Sequence, residues 1–152
     1  MIRAMWISLI GFHGAGKQTL ARLLARVSAR RTVALAALEA EALPAADDLV
    51  IVADAEAVVR PAAGAVLAGA GLVVWLDAPW PELRRRLSGA AGGAPAEIWT
   101  RSGEVVLQER HAQLRPRYAA LARLRLDSSR HGPSALARRL LARTLQLAES
   151  RP

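Results

Sequence analysis

With 152 residues, 53% of them hydrophobic, and a formal net charge of +8, the chain suits one globular domain around a single core and falls outside the disordered and fibrous classes. It has no cysteine, which excludes disulfides and thiolate metal sites and agrees with a cytoplasmic setting. The longest apolar stretch, residues 49–76, contains Asp54, Glu56 and Arg60, so it is not a membrane span.

The apolar run Trp6–Ile10 is too short for a signal peptide and reads as a buried first strand. A glycine-rich loop follows. A helix is expected from about Lys17 to Arg30, with Leu20, Leu23, Leu24 and Val27 on its apolar face. Thr32–Ala37 reads as a second strand, and the alanine-rich stretch from Glu39 to Asp48 is broken by Pro44. Leu49–Val52 is a third strand leading to Asp54. Pro61 opens a short helix that stops near Gly69 and Gly71. Leu72–Leu76 is a fourth strand ending at Asp77, followed by a helix over Pro79–Leu87 and a flexible loop over Gly89–Pro95. A long helix runs from about Glu104 to Leu121, with a bend expected at Pro116. Leu124–Asp127 is a fifth strand and Pro133–Leu147 the last helix. Strands alternating with helices imply a parallel sheet covered on both faces.

The residues with chemistry cluster after the first strand. Of 21 basic residues, 20 are arginine, and the single lysine closes Gly11-Phe-His-Gly-Ala-Gly-Lys17. That G-x-x-x-x-G-K spacing is the phosphate-binding loop of P-loop NTPases. A compact ammonium on a thin stem reaches β- and γ-phosphate oxygens where a planar guanidinium does not fit. The main-chain N–H groups from Gly14 through Ala15, Gly16 and Lys17 to Gln18 form an anion nest at a helix N-terminus. His13 reads either as an exposed loop residue or as a γ-phosphate contact.

Asp54 ends an apolar strand as the Walker B acid does, which makes it a metal-ligand candidate; a solvated strand-end acid is the alternative. Asp77 reads as a cap for the Pro79 helix. Trp6, Trp75, Trp80 and Trp99 read as packing residues. Arg84, Arg85 and Arg86 occupy consecutive helical positions and cannot all face one ligand. The positive charge reads chiefly as solvated arginine on helix faces. No aromatic residues interleave with it, so nucleic acid is not the expected partner.

Over nearly its whole length the chain resembles shikimate kinase. The resemblance rests on the phosphate loop, continued as Gln18-Thr-Leu-Ala-Arg-Leu-Leu-Ala25, on Leu72-Val-Val-Trp-Leu-Asp-Ala-Pro79 with Leu83-Arg-Arg-Arg-Leu87, and on Arg115-Pro-Arg-Tyr118, Leu124-Arg-Leu-Asp127 and Arg130-His-Gly-Pro133. It implies a three-layer α/β/α P-loop fold with a five-stranded parallel sheet in the order 2-3-1-4-5, ATP as phosphoryl donor and Mg²⁺ as its companion. It also implies nucleotide contacts from Gly11, His13, Gly14, Ala15, Gly16, Lys17, Gln18 and Thr19. Arg86 falls at the position of an adenine-flanking arginine. Arg130 and Pro133 fall in the loop on the other side of the base.

The departures from the family pattern fall on the acceptor side. The hydroxyl residue after the loop lysine is replaced by Gln18, a weaker magnesium ligand. The Asp-x-Asp of the second strand falls on Ala34 and Ala36, and loss of a general base typically costs about 10²–10⁴-fold in rate. The connection from strand two to strand three is too short for most of the family's substrate-binding lobe. Asp54-Ala-Glu56 replaces three glycines, and two carboxylates there are expected to repel a carboxylate-bearing acceptor. The acceptor arginine falls on Leu114, with Arg115 adjacent. Arg101 is the nearest candidate for the lid arginine, and Asp54 for a replacement metal ligand.

The reading is therefore one domain over residues 1–152 that binds ATP, holds Mg²⁺ weakly and transfers phosphate to a small hydroxylated acceptor as a cytoplasmic monomer. The alternative is a non-catalytic nucleotide sensor derived from such a kinase.

Overall fold

The computed structural model describes residues 6–40, 48–69, 71–89 and 101–149. Five strands form one parallel sheet: β1 (Ile7–Ile10), β2 (Arg31–Ala34), β3 (Leu49–Val52), β4 (Leu72–Asp77) and β5 (Leu124–Asp127), in the spatial order β2-β3-β1-β4-β5. Ser8 of β1 lies opposite Ile51 of β3 on one side and Val73 of β4 on the other. Among the described residues the helices are α1 (Lys17–Ser28), α2 (Leu35–Ala40), α3 (Pro61–Gly69), α4 (Trp80–Ser88), α5 (Arg101–Leu121) and α6 (Pro133–Glu149), with a 3₁₀ turn at Ala57–Val59. This is the P-loop α/β/α arrangement in the expected strand order.

Burial follows from the layering. Every residue of β1, β3 and β4 is buried, as expected where helices cover both faces of a parallel sheet. Edge strand β2 is largely exposed, and edge strand β5 is half-buried, with Leu126 inside. α1 packs beside α6, α2 beside α3, and α5 against β4 and the 3₁₀ turn. Among the described residues, no helix is long and apolar enough to cross a membrane.

Two local expectations need correction. The second strand stops at Ala34 and α2 starts at once, so Ala36 is helical. Leu35-Ala-Ala-Leu-Glu-Ala consists of strong helix formers, and only three residues further back does β-branched Thr32-Val33 favour a strand. On α1 the buried residues are Leu20, Ala21 and Leu24, while Val27 is 57% exposed. At 100° per residue the buried stripe centres between Leu20 and Ala21, which leaves Val27 on its flank. α1 ends at Ser28, two residues short of the expected Arg30, on Ala29 in the left-handed region (φ 54°).

Trp75 is a core residue, and Trp6 and Trp80 pack against the core, as packing residues should. Trp99 and residues 90–95 of the expected glycine-rich loop lie outside the described residues.

Candidate functional site

The site begins where β1 ends. Phe12 accepts a backbone hydrogen bond from the N–H of Ala15 (3.2 Å), closing a turn with His13 at its tip. Gly16 then caps α1 at φ 100°, a conformation that side-chain-bearing residues rarely adopt. No side chain caps α1, so its first N–H groups are not satisfied by a side-chain cap. Gly11 is needed for a different reason. A Cβ there would stand 2.6 Å from the carbonyl oxygen of Leu76, so loop and sheet touch backbone to backbone.

Lys17 is folded back into this loop. Its ammonium donates to the carbonyl oxygens of Gly11 and Phe12, the latter at 3.3 Å. Burial pushes its pKa down to about 8, partly opposed by Asp54. Because the folded value lies below the unfolded one, the unfolded chain binds more protons between about pH 8 and 10.5. The cost of enclosing this charge is therefore full below pH 8 and is relieved as pH rises through that window.

The loop opens into a cleft of ≈ 1410 Å³ along the carboxyl ends of the strands, where α/β sheets bind ligands. It runs from Ala34, Ala36 and Asp54, past Lys17, Gln18 and Thr19, to Arg86, Arg130 and Pro133. Apart from Gly11, which packs against Leu76, the residues assigned to the nucleotide from the sequence line one cavity. Gln18 and Thr19 are both exposed on the first turn of α1. Ala34 and Ala36 reach the cleft and offer only methyl groups.

Arg86 has a structural role that sequence reasoning missed. It donates to the carbonyl of Gly14 (3.0 Å), to Oγ (3.2 Å) and the carbonyl (2.6 Å) of Ser128, and to Glu82 (3.0 Å). It ties the phosphate loop to the loop after β5, and its planar face is what remains to border a ligand. Arg130 is a mostly solvated side chain, 3.5 Å from Asp127.

The strand-end acids are engaged. Both Asp54 oxygens accept from Arg60 at 2.7 Å, and Arg60 also grips Glu39 (2.7 Å). Arg60 holds the Asp54 carboxyl below its usual range. Arg110 of α5 forms a second bidentate pair with Glu56, one bond being 2.8 Å. The expected repulsion of an anionic acceptor therefore needs correction, because each carboxylate faces a guanidinium. Asp54 and Glu56 carry charges that only the tertiary fold cancels.

Asp77 is also not a helix cap. α4 has Pro79 at its N-cap and no side-chain cap bond. Asp77 instead receives Arg115 at 2.7 and 3.2 Å, and Arg125 as well, while both guanidiniums lie over the Trp75 ring at 5.2 and 5.0 Å. Arg115 is thereby committed away from the cleft, and Leu114 is fully buried, so neither supplies the acceptor arginine. Arg101 begins α5, but its side chain lies outside the described residues.

No family model matches the chain, and no curated protein does. Solved structures do. The shikimate kinase from Acinetobacter baumannii in complex with shikimate is similar at a TM-score of 0.76 and 19% identity, over 97% of this chain and 96% of that one. A gluconokinase from Sinorhizobium meliloti 1021 is similar at 0.64 and 19%, over 97% and 96%. The deoxyadenosine kinase from M. mycoides, with products dCMP and dCDP, is similar at 0.66 and 9%, over 94% and 100%. The chain has the fold of P-loop kinases, as the resemblance implied.

Proposed function

We propose that the protein is a divergent member of the shikimate kinase group, binding ATP and transferring its γ-phosphoryl group to a small hydroxylated acceptor other than shikimate. The observation that carries this is the loop over Gly11–Lys17, which sets one ammonium and an uncapped helix N-terminus at the mouth of a cleft. In this reading Lys17 leaves the carbonyls of Gly11 and Phe12 for phosphate oxygens, and the amides from Gly14 to Gln18 hold the remaining charge. Arg86, Arg130 and Pro133 border the base. Phosphoryl transfer needs positioning and charge stabilisation above all, which such a cradle supplies. Calorimetric titration with ATP, ADP and GTP tests the reading: saturable binding supports it, and absence of heat with every nucleotide overturns it.

The donor set does not fit a protein-held magnesium ion. Ala34 and Ala36 have no donor atoms, and Arg60 occupies both oxygens of Asp54. No group of three or more His, Cys, Asp or Glu gathers among the described residues. The first turn of α1 offers the Gln18 amide, on a longer stem than the usual hydroxyl, and the Thr19 hydroxyl one helical step further on. Gln18→Ser is expected to raise ATP affinity in magnesium by roughly tenfold, about 1.4 kcal/mol, with no change in EDTA. Paired titrations with and without the metal check this.

ATP affinity also carries a signature of Lys17. Phosphate oxygens restore the charged form, so above about pH 8 binding takes up a proton. Affinity is expected to be flat from pH 7 to 8 and then to fall by up to about tenfold per unit. Binding heats in buffers of different ionisation enthalpy report the uptake directly. A pH-independent affinity from 7 to 10 would contradict this role for Lys17.

A second reading, a nucleotide-binding module without turnover, is favoured by the Arg60–Asp54 and Arg110–Glu56 pairs, which occupy the acids of the acceptor side. ATP binding without ADP release across shikimate and a panel of polyols would select it.

A further inference from the structure

Phosphoryl transfer to a hydroxyl releases a proton, and the alanines at the end of β2 and the start of α2 cannot receive it. Three carboxylate or imidazole side chains line the described cleft: Asp54, His131 and His13. Asp54 is a poor base because both its oxygens accept from Arg60. His131 lies beside Arg130 and Pro133, at the end assigned to the base of the nucleotide. His13 stands at the tip of the turn that opens the phosphate loop and is exposed to the cleft.

We propose that His13 is the general base of this site, taking over from the missing strand-end aspartates. The inference rests on the ATP-binding reading above. In the step, a ring nitrogen of His13 accepts the proton of the acceptor O–H as that oxygen bonds to the γ-phosphorus. The bond from the γ-phosphorus to the β,γ-bridging oxygen breaks, and its electron pair leaves with ADP. The imidazolium then returns its proton to solvent.

The ring is placed for this by packing rather than by hydrogen bonds. It meets the edge of Phe12 at 5.0 Å, and Phe12 is wedged between His111 of α5 (5.2 Å) and Trp80 of α4 (6.5 Å). Phe12 is buried, so the turn beneath His13 is anchored in the core. No hydrogen bond occupies a His13 nitrogen among the described residues. The charged groups around it are Lys17 of α1 and, beyond β3, Glu56 and Asp54 with their partners Arg110 and Arg60. Desolvation and Lys17 together outweigh the two carboxylates and lower its pKa below the ordinary 6.5, which keeps the ring neutral at pH 7 and ready to accept a proton.

The test uses the full-length protein and ATP, with water as the acceptor and ADP release as the readout. His13→Ala is expected to lower kcat by about 10²-fold, a larger factor than any change in ATP affinity. The wild-type rate should fall as pH drops through an inflection below 6.5, and the variant should lose that inflection. Added imidazole should restore part of the variant's rate. His13→Gln, which keeps the size and polarity of the side chain, should be as slow as alanine and also respond to imidazole. Unchanged kcat in both variants overturns the assignment, as does a loss that imidazole does not rescue with the pH inflection intact. ATP binding without any ADP release by the wild type overturns the base alone. Failure of the wild type to bind ATP overturns the nucleotide reading beneath it.

Discussion

Lys17→Ala is expected to weaken ATP binding by at least about 10²-fold, a loss near 2.8 kcal/mol, with little change in folding stability. The two effects separate because of what Lys17 does in each state. In the folded protein its ammonium is spent on the carbonyls of Gly11 and Phe12. Those bonds are offset by the cost of enclosing a charge, the same cost that lowers its pKa to about 8. Removing the side chain removes both terms, so thermal unfolding should move by only a degree or two. With ATP the balance changes, since a polyphosphate presents several negative charges to one ammonium inside a part-buried loop. Lys17→Arg should rescue little, because the planar fork does not fit the same gap. Titration calorimetry and a thermal melt on the same samples check both halves, and an unchanged ATP affinity would remove the basis of the nucleotide reading.

The largest loss of stability is expected from Asp77→Ala. Its carboxylate is 7% exposed and receives two guanidiniums, from α5 and β5. Without it, Arg115 and Arg125 face each other across Trp75 with no anion between them. Breaking a buried pair by removing one partner typically costs about 3–5 kcal/mol. Arg125 is 59% exposed and relaxes into solvent, so the lower end, about 3 kcal/mol, is expected here. For a chain of this size that is roughly 6–12 °C in Tm. Asp77→Asn keeps the shape and one acceptor oxygen, and should lose less. Urea unfolding of both variants checks the order; equal stability of alanine variant and wild type would show that the cluster contributes nothing. ATP affinity should fall less than stability, because Asp77 does not line the cleft.

Much of the scaffold is legible without coordinates. Residues 49–52 and 72–76 are unbroken apolar runs and residues 7–10 are interrupted only by Ser8, and a strand buried on both faces reads in that way. Lys17 stands out because a chain that otherwise uses arginine keeps lysine at one position. The second strand was less legible, since Ala34-Leu-Ala-Ala satisfies both strand and helix patterns over so short a span. Arg60 and Arg110 carried no distinguishing signal among 20 arginines, and Arg86 was marked for a ligand rather than for its structural ties. Arg60 pairs with Asp54 six residues away and with Glu39 at 21, while Arg86 and Arg110 reach Ser128 and Glu56 at 42 and 54.

That contrast marks the division. The phosphate loop, the three central strands and the alanines at positions 34 and 36 are properties of local sequence. Turn geometry, apolar runs and missing functional groups act within a few residues of where they are written. Which arginine neutralises Asp54 and Glu56, which one ties the loop to Ser128, and why Asp77 supports a cluster rather than a helix end were decided by the tertiary structure. The Glu56, Ser128 and Asp77 pairings need guanidiniums from elements distant in sequence, whereas Arg60 lies only six residues from Asp54, and a charge has no preferred partner until folding sets the distances.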